Sequence, residues 1–84
     1  GKDTPAPPDV DYPGDDPTKA PDGYKWTGKD SQGGKRGGYK NPNGKDSWHP
    51  DLDHPDGVEP HWDYNNGHGN KWRVYPDGRI DLVK

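Results

Sequence analysis

Apolar positions are scarce along this chain, and where they occur they alternate with polar ones. KWRVY (71–75) and RIDLV (79–83) carry an apolar residue at every second position, Trp72 and Val74 in the first run and Ile80 and Leu82 in the second. A period of two is the pattern of a strand with one buried face. Pro76, Asp77 and Gly78 between them are turn residues, so the two runs predict a β-hairpin. HWDY (61–64), followed by the turn-forming NNGHGN, predicts the strand before it. Upstream, YKWTG (24–28) and GGYK (37–40) are expected at most as edge strands, because glycine weakens a strand interior. No helix is expected, since Gly or Pro interrupts every window long enough for a few turns. The expected fold class is mostly β, a small antiparallel sheet with long irregular Gly/Pro-rich segments.

Composition narrows this picture. A chain of 84 residues is one small domain, and it buries only roughly 60–65 % of the surface it exposes when unfolded. Its apolar stock is seven aliphatics, two alanines and nine aromatics. Each aromatic buries about 150–250 Å². Trp48, Trp62, Tyr64, Trp72 and Tyr75 lie close in sequence to most of the aliphatics, which predicts a core in the C-terminal half with Trp62 and Trp72 inside it. The absence of cysteine excludes disulfides and thiolate metal sites. There is no apolar run long enough for a membrane span and no signal-peptide pattern, so any targeting is expected to lie elsewhere in a longer protein. So thin a core also anticipates a tight-binding partner that stabilises the folded state by mass action.

The net charge of −3 conceals a strong alternation. Residues 1–23 hold six prolines and six aspartates against Lys2 and Lys19. They read as an acidic Pro-rich linker, extended rather than packed, ahead of a domain at 24–84. Residues 24–47 are basic and glycine-rich, with Lys25, Lys29, Lys35, Arg36, Lys40 and Lys45 interleaved with Tyr24, Trp26 and Tyr39. That composition suits a flexible arm that tracks phosphates, with Trp26 or Tyr39 stacking on unpaired bases. A lysine-rich solvated loop is the ordinary alternative.

All four histidines and five acidic residues then fall in HPDLDHPDGVEPHWDYNNGHG (49–69), which has no Lys or Arg. Imidazole moves protons near neutral pH, and a carboxylate beside it orients the ring. Cleavage of a phosphodiester by its own ribose 2′-hydroxyl needs a base, an acid and a cation for the charged phosphorane. Asp51, His54, Glu59, His61 and Asp63 are candidates for the first two, and Lys71 and Arg73 for the third. His-Pro and Asp-Gly steps also have an ordinary reading as turn chemistry. The histidine spacings of 5, 7 and 7 match no common zinc pattern. No metal ligand and no cofactor are therefore expected. Ser31 and Ser47 lack the elbow of a serine nucleophile.

On these residues the chain resembles the C-terminal toxin modules of bacterial polymorphic and contact-dependent inhibition systems, and among them the ribosomal-RNA-cleaving colicin nuclease domain. The likeness is carried by the proline-rich lead into Trp26-Thr27-Gly28, by Trp62-Asp63 with Trp72-Arg73 ten residues on, and by the turn Asp77-Gly78. His49-Pro50-Asp51, His54 and Pro60-His61-Trp62-Asp63 are similar to the signature of a broader polymorphic-toxin nuclease family. The resemblance implies a highly twisted antiparallel sheet, metal-independent cleavage of 16S ribosomal RNA in the decoding region, translation inhibition, and a cognate immunity protein. It also implies delivery as part of a larger secreted or surface toxin that acts in the cytoplasm of a target bacterium. The colicins use an Asp, a His three residues later and a Glu beyond it. Starting from Asp63, position 66 is Asn and the nearest imidazole is His68; starting from Asp51, His54 has the right separation, with Asp56 or Glu59 following. The expected catalytic set is Asp51, His54, His61, Asp63 and Arg73, and the RNA-binding set Lys25, Trp26, Lys35, Arg36, Tyr39, Lys40 and Lys71. A metal-dependent DNase and a non-catalytic module that binds sugars or peptides through exposed Trp and Tyr are the alternatives.

Overall fold

A computed structural model describes residues 5–53 and 59–83. The chain forms six strands: β1 Lys25–Gly28, β2 Gly37–Lys40, β3 Ser47–Asp51, β4 His61–Asn65, β5 Lys71–Val74 and β6 Ile80–Val83. Each pairs antiparallel with the next, giving one open six-stranded sheet in sequence order. The all-β expectation holds, and the described residues contain no helix, hence none long and apolar enough to cross a membrane.

One strand is unexpected. β3 runs through His49-Pro50, a step that reads locally as a turn, and its presence makes β2 an internal strand rather than an edge. Pro50 has no amide hydrogen to give to a neighbour, and it stands beyond the last β2–β3 partner pair, where no bond to β2 is required. Glycine in β2 also has a local cause. A Cβ on Gly37 would lie 2.5 Å from Cζ2 of Trp26, so only glycine lets that indole lie across the strand.

The pairing registers place Trp26, Tyr39, Trp48, Tyr64, Trp72 and Leu82 in one row across all six strands. Pro50, Trp62, Val74 and Ile80 form a second row on the same face. Ring centroids sit 5.1 Å apart for Trp26–Tyr39, 4.8 Å for Trp48–Tyr64 and 6.3 Å for Tyr64–Trp72. Such pairs contribute about 0.5–1.5 kcal/mol each beyond area burial. Trp62 and Trp72 are buried as expected.

A one-layer sheet leaves this face wet unless something covers it. The cover is the proline-rich N-terminal segment, which reads in sequence as an unpacked linker but lies against the sheet. Val10 and Tyr12 lie against the aromatics. Trp62 Nε1–H donates to the Gly14 carbonyl at 2.8 Å, and the Tyr39 hydroxyl donates to the Pro17 carbonyl at 2.6 Å. Proline suits this role, because it brings an acceptor carbonyl without an N–H that would itself need a partner.

At one end of the face, Asp46 accepts hydrogen bonds from Tyr24 and Tyr64 hydroxyls and from Asn41 Nδ2. Burial opposes ionisation of Asp46, but these donors outweigh it and hold its carboxyl below the usual range. Burial and the same carboxylate push the Tyr24 and Tyr64 phenols up. The lowered Asp46 contributes stability that is complete above the unfolded carboxylate value of about 3.9 and is lost as pH falls through the lower folded value. The raised phenols contribute below about pH 10 and lose that contribution as pH rises through their folded values. Asp46→Asn is therefore expected to destabilise the protein at neutral pH, with the gap to the native sequence narrowing below about pH 4. Urea unfolding at several pH values checks this, and a gap that stays constant into acid contradicts it.

Candidate functional site

The face opposite the aromatic rows carries the histidine and carboxylate side chains of the strands. Strand alternation puts His49 and Asp51 of β3, His61 and Asp63 of β4, Arg73 of β5 and Asp81 of β6 on it. Asp51 faces His61 across the β3–β4 pair and His49 faces Asp63; the latter row continues through Arg73 to Asp81. Residues at the end of one strand and the start of the next, Asp51 and His61, are thus brought together by pairing, with nine positions between them in sequence.

His61 is the centre of the group and is fully buried. Its Nδ1 lies 2.8 Å from the Glu59 carbonyl, which only accepts, so Nδ1 carries a hydrogen and donates it. Nε2 is therefore the atom presented to the two carboxylates, 3.2 Å from Asp51 Oδ2 and 3.5 Å from Asp63 Oδ1. The ring is held by a closed circuit. Tyr75 packs on it with centroids 5.6 Å apart, the Arg79 guanidinium lies 4.1 Å from the centroid of Tyr75, and Arg79 Nη2 donates to Glu59 Oε1 at 2.6 Å. That hydrogen bond to Glu59 raises the Arg79 pKa further. His49 has the same polarity as His61, with Nδ1 donating to the Gly37 carbonyl at 2.7 Å.

Access to the cluster is uneven. The Asp51 side chain is 33 % exposed and that of Asp63 17 %. A ligand therefore meets Asp51 first. A crevice of about 260 Å³ beside it is lined by Pro17, Gly33, Lys35, Pro50, Asp51 and Leu52 among others. This arrangement can pass a proton through a half-exposed carboxylate to the imidazole nitrogen buried behind it.

The structure thus brings together Asp51, His61 and Asp63 from the expected catalytic set, with Arg73 in the neighbouring row. His54 lies outside the described residues. His68 is in the turn after β4, at the opposite end of that strand from His61. Of the two expected base-stacking residues, Tyr39 is fully buried in the aromatic row, which leaves no ring face for a base, and Trp26 is half-buried with its indole N–H donated to the Asp30 carbonyl. Their glycine-rich neighbours suggest a loose loop, but β3 pairs beside Tyr39 and the Pro17 carbonyl accepts from its hydroxyl. Arg36 is paired with Asp30 at 2.7 Å, while Lys25, Lys35, Lys40 and Lys71 are exposed. Among the described residues no large apolar side chain is exposed, and Tyr12, Tyr24 and Trp26 are half-buried.

Sequence reasoning left out His49, Tyr75 and Arg79 from the site. Counting by twos from Asp51 to His49 would have found the first; Tyr75 and Arg79 enter through the turn and carry no such signal. The expectation of no metal ligand also meets a contrary feature. One donor atom each from Asp51, His61 and Asp63 lies within 4.8 Å of the other two. One nitrogen and two carboxylate oxygens suit zinc or a harder divalent ion. A triad assembled across strands has no fixed sequence spacing for a motif to detect.

Coupling between Asp51 and His61 is directly measurable. In the background of His61→Phe, which keeps a ring against Tyr75, Asp51→Asn is expected to be less harmful than in the native sequence. The double-mutant cycle, read by urea unfolding, should give an interaction energy of about 0.5–3 kcal/mol. Additivity within about 0.5 kcal/mol contradicts the contact.

Comparison with protein-family models, with curated proteins and with solved structures gave no match, so a functional reading stands on the geometry of this face.

Proposed function

We propose that the chain is a bacterial toxin domain acting as an endoribonuclease without a metal, through attack of a ribose 2′-hydroxyl on the adjacent phosphodiester. The single observation that carries this is the Asp51–His61–Asp63 assembly, a half-exposed carboxylate backed by an imidazole of fixed tautomer. Asp51, at the crevice, takes the 2′-hydroxyl proton, and the oxygen attacks phosphorus. His61, whose Nδ1 is committed as a donor, presents the Nε2 lone pair to Asp51 and can accept the proton that Asp51 passes on. His49 shares the face, and its Nδ1 is committed to Gly37, so its Nε2 is the nitrogen that can give a proton to the departing 5′-oxygen. His54 remains a candidate for the same role on sequence alone. Lys35 lines the crevice with Asp51 and meets the phosphorane charge, whereas Arg73 stands in register between Asp63 and Asp81. The products are a 2′,3′-cyclic phosphate and a 5′-hydroxyl.

The choice of 16S ribosomal RNA in the decoding region as target, the cognate immunity protein and delivery within a larger toxin follow from the colicin-like resemblance and are supported by it alone. A second reading is a metal-dependent nuclease. It is favoured by the three donor atoms within 4.8 Å and by the Nδ1–H bond of His61 to a carbonyl, the outer-shell bond typical of metal-bound imidazoles. Such an enzyme uses a metal-activated water and leaves 5′-phosphate ends.

Expression of the chain in bacteria is expected to arrest growth and release a discrete fragment of 16S RNA. Purified protein should cleave in the presence of chelator and leave 5′-hydroxyl ends. Asp51→Asn should slow cleavage by about 10²–10⁴-fold, the usual worth of a positioned acid or base. Chelator-sensitive cleavage with 5′-phosphate ends selects the metal reading, and intact RNA at high protein concentration removes both.

A further inference from the structure

The polar face has a second feature at the end away from His61. The registers run Lys25 to Lys40, Lys40 to Ser47, Ser47 to Asn65 and Asn65 to Lys71, a single row that spans β1 to β5. Alternation places this row on the same face as Asp51, since Ser47 and Asp51 are four residues apart in β3. Lys25, Lys40, Asn65 and Lys71 are exposed and Ser47 is half-buried. There is no acidic residue in the row. Elsewhere the described arginines are balanced, Arg36 by Asp30, Arg79 by Glu59 and Arg73 by its cross-strand neighbours Asp63 and Asp81. Among the described residues no ion pair engages Lys25, Lys40 or Lys71.

Lys25 and Lys40 are directly opposite each other, a like-charge pairing that destabilises a sheet. An anion laid across the two removes that repulsion. Strand spacing of about 4.8 Å puts Lys40 and Lys71, three strands apart, at about 14 Å, and Lys25 and Lys71 at about 19 Å. Ser47 and Asn65 fill the interval with neutral groups that hydrogen-bond to phosphate or sugar hydroxyls. The row lies about 13 Å along β3 from Asp51, further than one nucleotide reaches.

We propose that Lys25, Lys40 and Lys71, with Ser47 and Asn65 between them, form a phosphate track for single-stranded RNA that crosses the strands and holds nucleotides away from the scissile bond. Its assignment to RNA rests on the ribonuclease reading above. The track predicts a substrate-length effect: a dinucleotide held at Asp51 does not touch it, and a longer strand does.

The test uses the full chain carrying Asp51→Asn, so that bound RNA stays intact, and a fluorescent single-stranded RNA oligonucleotide titrated at several salt concentrations. Combined Lys25→Gln, Lys40→Gln and Lys71→Gln should weaken binding on the order of tenfold at low salt and reduce the slope of log affinity against log salt by about 2, at about 0.7 per phosphate. Lys29→Gln with Lys45→Gln, exposed lysines outside the row, should leave the slope nearly unchanged. In the cleaving protein the triple variant should raise KM for the oligonucleotide severalfold more than KM for a dinucleotide, and an equal rise for both overturns the track. A urea midpoint no lower than that of the unsubstituted protein shows that the variants fold. Equal losses from both lysine sets overturn the track in favour of diffuse attraction. Undiminished RNA binding by the triple variant overturns it too, including the case where the same variant loses affinity for an acidic protein partner. Row-dependent binding of RNA by a protein that never cleaves it keeps the track and rejects the ribonuclease.

Discussion

Burial of the aromatic row is the constraint from which the rest follows. A slip of one residue in any strand pair turns every side chain of that strand to the other face. For β4 such a slip would carry Trp62 and Tyr64 into water and drive His61 and Asp63 into the rings. Two Trp or Tyr side chains lost from the core amount to several kcal/mol, comparable with the whole stability of a domain this small, about 5–15 kcal/mol. The row therefore fixes the register, and the register fixes which polar groups meet on the opposite face.

The same constraint explains why an acidic, proline-rich segment belongs to the folded unit. A sheet with six large side chains on one face and no second layer needs a lid. Residues 10–17 supply one with carbonyls that accept from Trp62 and Tyr39. On the other face burial is local, confined to His61 beneath Tyr75, Arg79 and Glu59. That local cover takes water from a single imidazole while leaving Asp51 within reach of a ligand.

The strands at 61–65, 71–74 and 80–83 are legible in the sequence because their apolar residues alternate, and the burial of Trp62 and Trp72 follows. β3 is hidden because Trp48 is its only large apolar residue and His49-Pro50 imitates a turn. The clustering of His and Asp in residues 49–69 signals a site, but the partnership of Asp51 with His61 is a product of strand pairing across an intervening loop. Tyr39 is misread for the same reason: GGYK gives no hint that Pro17, 22 positions earlier, closes over its hydroxyl.

Cross-strand nuclear Overhauser contacts test the central claim most directly. The account predicts backbone contacts joining Asp51 with His61 and His49 with Asp63, together with ring contacts between Trp48 and Tyr64. Contacts displaced by one residue, or a His61 ring signal with Nδ1 unprotonated and Nε2 carrying the only hydrogen, would contradict it.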